Sequence, residues 1–551
     1  MCYIDNMFSE ITRSKKIIVM LGVMSAMLLA VLDQTIVVTA MPRIVQEFNS
    51  LEHLSWVFSA YLLASTVIVP ISGKLSDIYT RKIFYIVSIF IFLIGSILSG
   101  LSQSMTQLII FRAIQGIGGG ALMANSFTII GDLFPPAERG KWQGMLGGVF
   151  GLASVVGPIL GGWLTDNASW RWTFFINMPV GVLALGLIFF LMPKITSSIK
   201  DKSIDYLGSV ALTAGLVTLL LGFVWGGSQY AWDSAQIIGL FLVSIVSFVI
   251  FGIIEQKVKE PILPLSLFKN SIFSVSMLIV FLIGVGMFGA ILYIPLFAQI
   301  VLGISATDSG TILTPLMLGL IVASVISGQI ISRSGKYKWL TILGLAITSI
   351  TLYLLSGMNS NTTKLELAFR TIFIGIGLGI TMPVFTIVVQ NAFDHSKLGV
   401  VTASTQLFRA IGGTVGVAIM GGILNNSLSS KLSSQSFDKF IQSFSRFNFN
   451  LEDIDLNKLQ DVLSQAGQAQ IEAKLSNLPG LIKAEVMQEF AEFAAKIKQI
   501  LATSIGEVFL ISSLFMIIAF IASFFLKEIP LRKSHAQRSD LEKIGAEIAD
   551  G

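Results

Sequence analysis

The 551-residue chain is predicted to fold as an all-α polytopic membrane protein, two six-helix halves with two additional helices between them. Three observations carry this. Hydrophobic residues make up 54% of the sequence and charged ones 13%, with a mean hydropathy of +0.80, which leaves too little polar surface for a soluble protein of this length. Apolar runs of about 20 residues, each able to cross a ~30 Å hydrocarbon core as helix, recur fourteen times. Two sequence patterns return after an interval of 255 to 259 residues.

The first six spans fall near 17–40, 53–72, 83–101, 106–131, 142–165 and 172–192. Two more follow at 205–226 and 234–254, and the last six lie at 272–300, 309–331, 339–357, 365–390, 399–424 and 503–526. Several contain Gly or Pro, which membrane helices tolerate when neighbours or water satisfy the freed backbone groups. The repeat orders them. Phe111-Arg112-Ala113-Ile114, followed by Gly116, Gly118 and Gly120 in span four, returns as Phe369-Arg370-Thr371-Ile372, followed by Gly375, Gly377 and Gly379 in span twelve. Gly73-Lys74-Leu75-Ser76-Asp77, then Arg81, returns as Gly328-Gln329-Ile330-Ile331-Ser332, then Lys336. Spans one to six therefore map onto nine to fourteen, and seven and eight have no partners. The expected units are 1–192, 205–254 and 272–526, with a tail at 527–551.

An even number of crossings puts both termini on one side, and the Lys/Arg bias makes that side cytoplasmic. The segments assigned there hold Lys74, Arg81, Lys82, Arg139, Lys141, Lys257, Lys259, Arg333, Lys336 and Lys338, among others, whereas the short opposite loops offer only Arg43, Arg171 and Lys364. The net charge of +5 is thus a topology signal and a contact with anionic lipid, with no nucleic-acid partner implied. The single cysteine, Cys2, cannot form an intrachain disulfide, and no Cys/His cluster has metal-ligand spacing. There is no Walker-type phosphate loop and no Ser/His/Asp arrangement among three histidines, so no cofactor, metal or catalytic residue is expected. Residues 425–502 depart from the membrane pattern and read as an extracytoplasmic helical insert. Ile482, Val486, Phe490, Phe493, Ile497 and Leu501 give it an amphipathic face. The insert either packs as a hairpin on the outer rim or docks an extracytoplasmic partner.

Asp33 is the only charged residue in span one, and a carboxylate at membrane depth costs at least ~2.5 to 3.5 kcal/mol on insertion scales. Acids placed so face a bundle interior or a wet cavity, which suggests a proton or substrate path. The surrounding segment, Leu32-Asp33-Gln34-Thr35-Ile36-Val37-Val38-Thr39-Ala40-Met41-Pro42, resembles the first-helix signature of the major facilitator superfamily's fourteen-helix drug:proton antiporters. Thr39 and Met41 stand where many members have Asn and Leu. Gly73 through Asp77 with Arg81 and Lys82 is similar to the family's loop between helices two and three, and Arg112-Ala113-Ile114-Gln115-Gly116 through Gly120 to its fourth-helix motif. Gly157-Pro158-Ile159-Leu160-Gly161-Gly162 resembles the fifth-helix antiporter motif, and Trp170 through Gly181 continues the match. The resemblance implies the major facilitator fold and proton-driven export of amphipathic drug-like molecules, cationic or zwitterionic, by a monomer in the cell membrane. Export of one specific metabolite or peptide, and a transport-dead receptor using the 425–502 insert, are the alternatives.

Physical reasoning gives each motif a role. Asp33 and Arg112 lie at about equal depth in helices that run in opposite directions, so they can pair, and neither then stays an isolated charge in low dielectric. Such a pair is a proton-coupling site, or a static clamp on helix packing. The repeat sets Phe288 at the position of Asp33, and Arg370 has Glu366 four residues earlier on its own helix. Gly73, Asp77, Arg81 and Lys82 form a conformational latch of charge-assisted hydrogen bonds. Gly157, Gly161 and Gly162, with Gly144, Gly147, Gly148 and Gly151, keep span five thin for close approach, and Pro158 introduces a bend. Gln34, Gln115 and Arg409 are further substrate or coupling positions.

Overall fold

The computed structural model describes residues 12–48, 54–193, 203–227, 229–304, 306–433 and 480–531. Fourteen helices long and apolar enough to cross a membrane are present among these residues. The first half comprises α1 (Arg13–Phe48), α2 (Leu54–Ile78), α3 (Arg81–Gly100), α4 (Met105–Leu133), α5 (Pro136–Asn167) and α6 (Trp172–Leu191). Next come α7 (Tyr206–Trp225) and α8 (Ala235–Glu255). The second half holds α9 (Ser271–Ile300), α10 (Ala306–Ser334), α11 (Lys338–Ser356), α12 (Lys364–Ala392), α13 (Leu398–Ser433) and α14 (Gly480–Ser523).

Packing follows the repeat. In the first half α1 lies along α5 and α6, α2 along α4, and α3 along α4 and α6. Adding eight to each number gives the second half's contacts, namely α9 with α13 and α14, α10 with α12, and α11 with α12 and α14. Each half has its own apolar core, one built around Met27, Phe92 and Leu122, the other around Phe297, Phe385 and Phe509. The outer surface carries large apolar side chains such as Phe190, Leu207 and Ile159, the expected covering for helices whose solvent is lipid.

The halves meet along two seams, α5 with α10 and α2 with α13, and the repeat exchanges these pairs. The additional hairpin touches the rest of the molecule mainly through α7, which leans on α2 and α13. Behind the last helix, the chain returns to the α10–α11 turn, where the Tyr337 hydroxyl donates to the Lys527 carbonyl and accepts from the Ile529 amide. Burial pushes this phenol up to about 12, so it stays protonated and keeps donating.

Both ends of the insert continue membrane helices. Helix α13 runs past the predicted end of span thirteen to Ser433, and α14 begins at Gly480, so the amphipathic stretch is the opening of one 44-residue helix that runs on into span fourteen. The reason is local: nothing between Gly480 and the last apolar span breaks a helix. Phe493, Ile497 and Leu501 are buried in the second half's core, as their spacing predicts. The remainder of the insert, 434–479, lies outside the described residues.

Candidate functional site

Asp33 is fully buried, about two-fifths of the way back from the far end of α1. Arg112 of α4 forms an ion pair with its Oδ2, while its Oδ1 accepts hydrogen bonds from Gln115 Nε2 at 2.8 Å and Asn177 Nδ2 at 3.0 Å. The predicted pairing is therefore direct, and it sits in a closed polar network. Arg112 also donates to Gln115 Oε1 at 2.8 Å, and its guanidinium lies 4.4 Å from the Tyr61 ring centroid. Asn177 donates onward to Ser96 Oγ, which donates to the Phe174 carbonyl. Half-buried Gln34, the neighbour of Asp33, hydrogen-bonds Tyr61, whose hydroxyl donates to the Ala30 carbonyl.

Five helices of the first half supply these groups, and glycines set their spacing. A Cβ on Gly95 would lie 2.5 Å from the Gln115 amide nitrogen, and one on Gly116 would lie 2.5 Å from the Tyr61 carbonyl. The glycines of the fourth-helix motif thus let α2 and α3 close on α4, which brings Tyr61 and Ser96 to the charged pair. The chemical consequence concerns the carboxylate's donors. Three donors fill most of the roughly four acceptor sites on the two oxygens, and a proton arriving on Asp33 cancels the charge at which they are aimed, so protonation and local packing are linked. Asn177 and Ser96 are not prominent in the sequence; the available signal was an amide at the start of an otherwise apolar helix.

The predicted latch joins the two halves. Asp77 pairs with Arg81, and its two oxygens accept the amides of Gly399 and Val400, each at 3.0 Å, in the first turn of α13. A carboxylate there meets unpaired N–H groups and the positive end of the helix dipole. Arg81 Nε also donates to Asp132 at 2.8 Å, and His395 of the second half lies 3.2 Å from the same carboxylate. Gly73 makes the approach sterically feasible, since a Cβ there would meet Ala403 Cβ at 2.5 Å. Lys82, expected in the latch, instead extends toward α6, its ammonium 5.8 Å from the Phe189 ring centroid. Its position next to Arg81 turns it to a different face of α3. Asp132 and His395 complete the arrangement.

A second fastening, absent from the sequence reading, lies nearby. Gln390 of α12 donates to the Phe127 carbonyl at 3.1 Å and to Thr402 at 2.9 Å, while Arg139 and Gln143 of α5 approach its carbonyl oxygen at 3.4 Å. The basic ends of the halves are thereby tied shut.

The glycines of α5 divide into two sets. Gly140, Gly144, Gly147 and Gly151 press on α10 of the other half, whereas Gly157 and Gly161 press on α1 beside Thr35, Ile36 and Thr39. Gly162 faces open space, with nothing within 4 Å of a Cβ placed on it, and α5 continues as helix through Pro158. The second half's copy of the charged pair is a surface feature: Arg370 pairs with Glu366 on its own helix and donates to the Leu354 carbonyl. Arg409 is half-buried in α13 and has no ion-pair or hydrogen-bond partner among the described residues.

Comparison with known proteins agrees with this architecture. A family model described as Major Facilitator Superfamily matches residues 23–417. The multidrug transporter protein MdtP of Bacillus subtilis (strain 168) is 40% identical over 542 residues, covering 96% of each chain. Multidrug resistance protein 3 of the same organism is 41% identical over 416 residues, covering 75% of this chain and 80% of its own. Among solved structures, the proton:xylose symporter XylE bound to 6-bromo-6-deoxy-D-glucose aligns with a TM-score of 0.57 at 14% identity, over 97% of this chain and all of its own.

Proposed function

Since the chain belongs to the major facilitator superfamily, and is a multi-pass membrane transporter rather than an enzyme, we propose that it is a proton-coupled drug exporter. In this reading it moves amphipathic cationic or zwitterionic molecules out of the cell through the plasma membrane, with both termini cytoplasmic. The names of the Bacillus subtilis relatives support drug-like cargo, and further relatives named as efflux pumps support export as the direction. The Lys/Arg bias supports a cytoplasmic position for the end that is tied shut. The conformation described here is then closed to the cytoplasm, one of the two end states that alternating access requires.

One observation carries the coupling: a buried carboxylate whose two oxygens are occupied by Arg112, Gln115 and Asn177 from two other helices. Loading Asp33 with a proton removes the charge that Arg112, Gln115 and Asn177 hold, which weakens the tie of α1 to α4 and α6. The same α1 is gripped by α5, the helix that lies against the opposite half. A proton on Asp33 is thereby linked to the seam between the halves. The decisive test is Asp33→Asn in reconstituted vesicles, with substrate-dependent proton release as the readout. The variant is expected to stay folded and lose the proton signal, and undiminished exchange would reject the assignment.

A further inference from the structure

The end of α7 and the turn that joins it to α8, a hairpin the repeat leaves without a counterpart, have a part in a cavity of about 720 Å³. Its walls are α2, α9, α13 and the α7–α8 turn, and it lies in the half of the molecule opposite the latch. There α2 contributes Ser59, Leu62 and Thr66, near its start, and α13 contributes residues from Ala410 to Ser429. The same two helices touch at Gly73 and Gly399, so they diverge from a closed end and the cavity fills the gap.

The walls are built for space and for aromatic contact. On one face of α13, Gly412 and Gly416 are pressed to the backbone of α9, where a Cβ would fall 2.2 and 2.6 Å from carbonyl oxygens. On the cavity face, Gly422 has nothing within 4 Å of an added Cβ, and Gly421 only the Tyr293 hydroxyl at 3.6 Å. Close packing explains the first pair and not the second, which leaves room. The fourth wall is aromatic. Trp232 lies over Gly226 and Gly227, whose Cβ positions would fall 2.5 and 2.6 Å from its ring, and Gly227 takes a φ of 72° that an L side chain adopts with difficulty. Trp225 meets Trp56 of α2 edge to face at 5.5 Å, which ties the turn to the opposite wall.

Among the described lining residues none carries a formal charge, and the polar groups are hydroxyls and amides, with Asn425, Asn426 and Ser429 together toward the end of α13. A charge buried here would have no counter-ion, whereas an apolar body with an uncharged polar head would find both its surfaces matched. The volume is in the range that holds drug-sized molecules. We infer that this cavity is a binding site for uncharged amphipathic molecules, and that the α7–α8 turn is the wall which holds them there. The site widens the transported class beyond the cations and zwitterions proposed above. Its relevance to export rests on that proposal; its occupancy does not.

Occupancy is testable on the purified full chain in nanodiscs with N-phenyl-1-naphthylamine, an uncharged fluorophore that brightens in apolar surroundings. Saturable enhancement above protein-free nanodiscs is expected. Filling the open face with Gly422→Phe should weaken it by about tenfold, and Trp232→Ala by several-fold. Ethidium, a permanent cation, should not compete. Non-saturable signal, equal binding in both variants, or full competition by ethidium would overturn the assignment. So would co-purified phospholipid held against these residues with no dye saturation, which would give the cavity to a lipid chain. Binding that depends on Gly422 and Trp232 in a protein without substrate-driven proton release would keep the cavity and remove the antiport reading.

Discussion

The α2–α13 seam and the α5–α10 seam are copies of one another, yet they are fastened by different chemistry. Gly73 faces Gly399 in the first, and its repeat equivalent Gly328 faces Gly140 in the second; a Cβ on Gly399 or Gly328 would fall 2.4 or 2.1 Å from the facing carbonyl. The steric half of the device is thus duplicated. Beside it, Asp77 takes the amides of Gly399 and Val400, whereas Ser332, at the equivalent position, takes only the amide of Lys141 at 3.3 Å. A carboxylate set against the first turn of a facing helix is replaced by a hydroxyl making one long hydrogen bond. Close approach is needed wherever the halves touch, so both glycine contacts are present; a strong electrostatic lock is needed only once. The buried charge follows the same rule, since Asp33 has Phe288 as its equivalent and Arg370 is paired at the surface.

The largest effect expected from this asymmetry is in the charged pairs. Arg112→Ala leaves Asp33 buried without its counter-ion and should destabilise the protein by about 3–5 kcal/mol. Arg370→Ala removes a half-exposed pair and should cost about 1 kcal/mol or less. Thermal unfolding of the two variants in the same detergent measures both, and equal losses would erase the distinction between the halves. Next in size is the lock. Asp77→Asn removes charge-assisted bonds to the start of α13 and should favour the state open at the latch by about 2 kcal/mol, against about 1 kcal/mol or less for Ser332→Ala. Disulfide trapping between cysteines placed across each seam reports this, and a larger effect from Ser332→Ala would invert the comparison. The smallest difference lies within α5. Gly157→Ala sets a methyl 1.9 Å from Thr35 Oγ1 and should cost about 1–3 kcal/mol, while Gly162→Ala should fall within about 0.5 kcal/mol of the parent.

Much of the architecture was legible because lipid is an undemanding solvent: length and apolarity define a span, and all fourteen helices overlap the predicted runs. Asp33 and Arg112 could be paired from depth alone, since an isolated charge in that setting is costly. Gln115 could be named with them, but Asn177, and Ser96 behind it, were less visible, because they come from two further helices whose relative rotation the sequence does not state. The same holds for Asp77, whose residue type suggested a lock while its acceptor role toward Gly399 and Val400 depends on the second half's placement. Arg409 remains the candidate with the least support, since no partner among the described residues gives it a task.

Helix α5 is held at two points along one rod. The last of its glycines against α10 is Gly151 and the first against α1 is Gly157, six residues or about 9 Å further along the axis, and between them the Ala153 carbonyl already accepts from Thr35 of α1. A rod held by different bodies at its two ends, with the two holds meeting near its middle, carries the motion of one body to the other. A roll of α10 across the first hold is therefore felt by the helix that carries Asp33, and the seam between the halves and the buried acid share one connector.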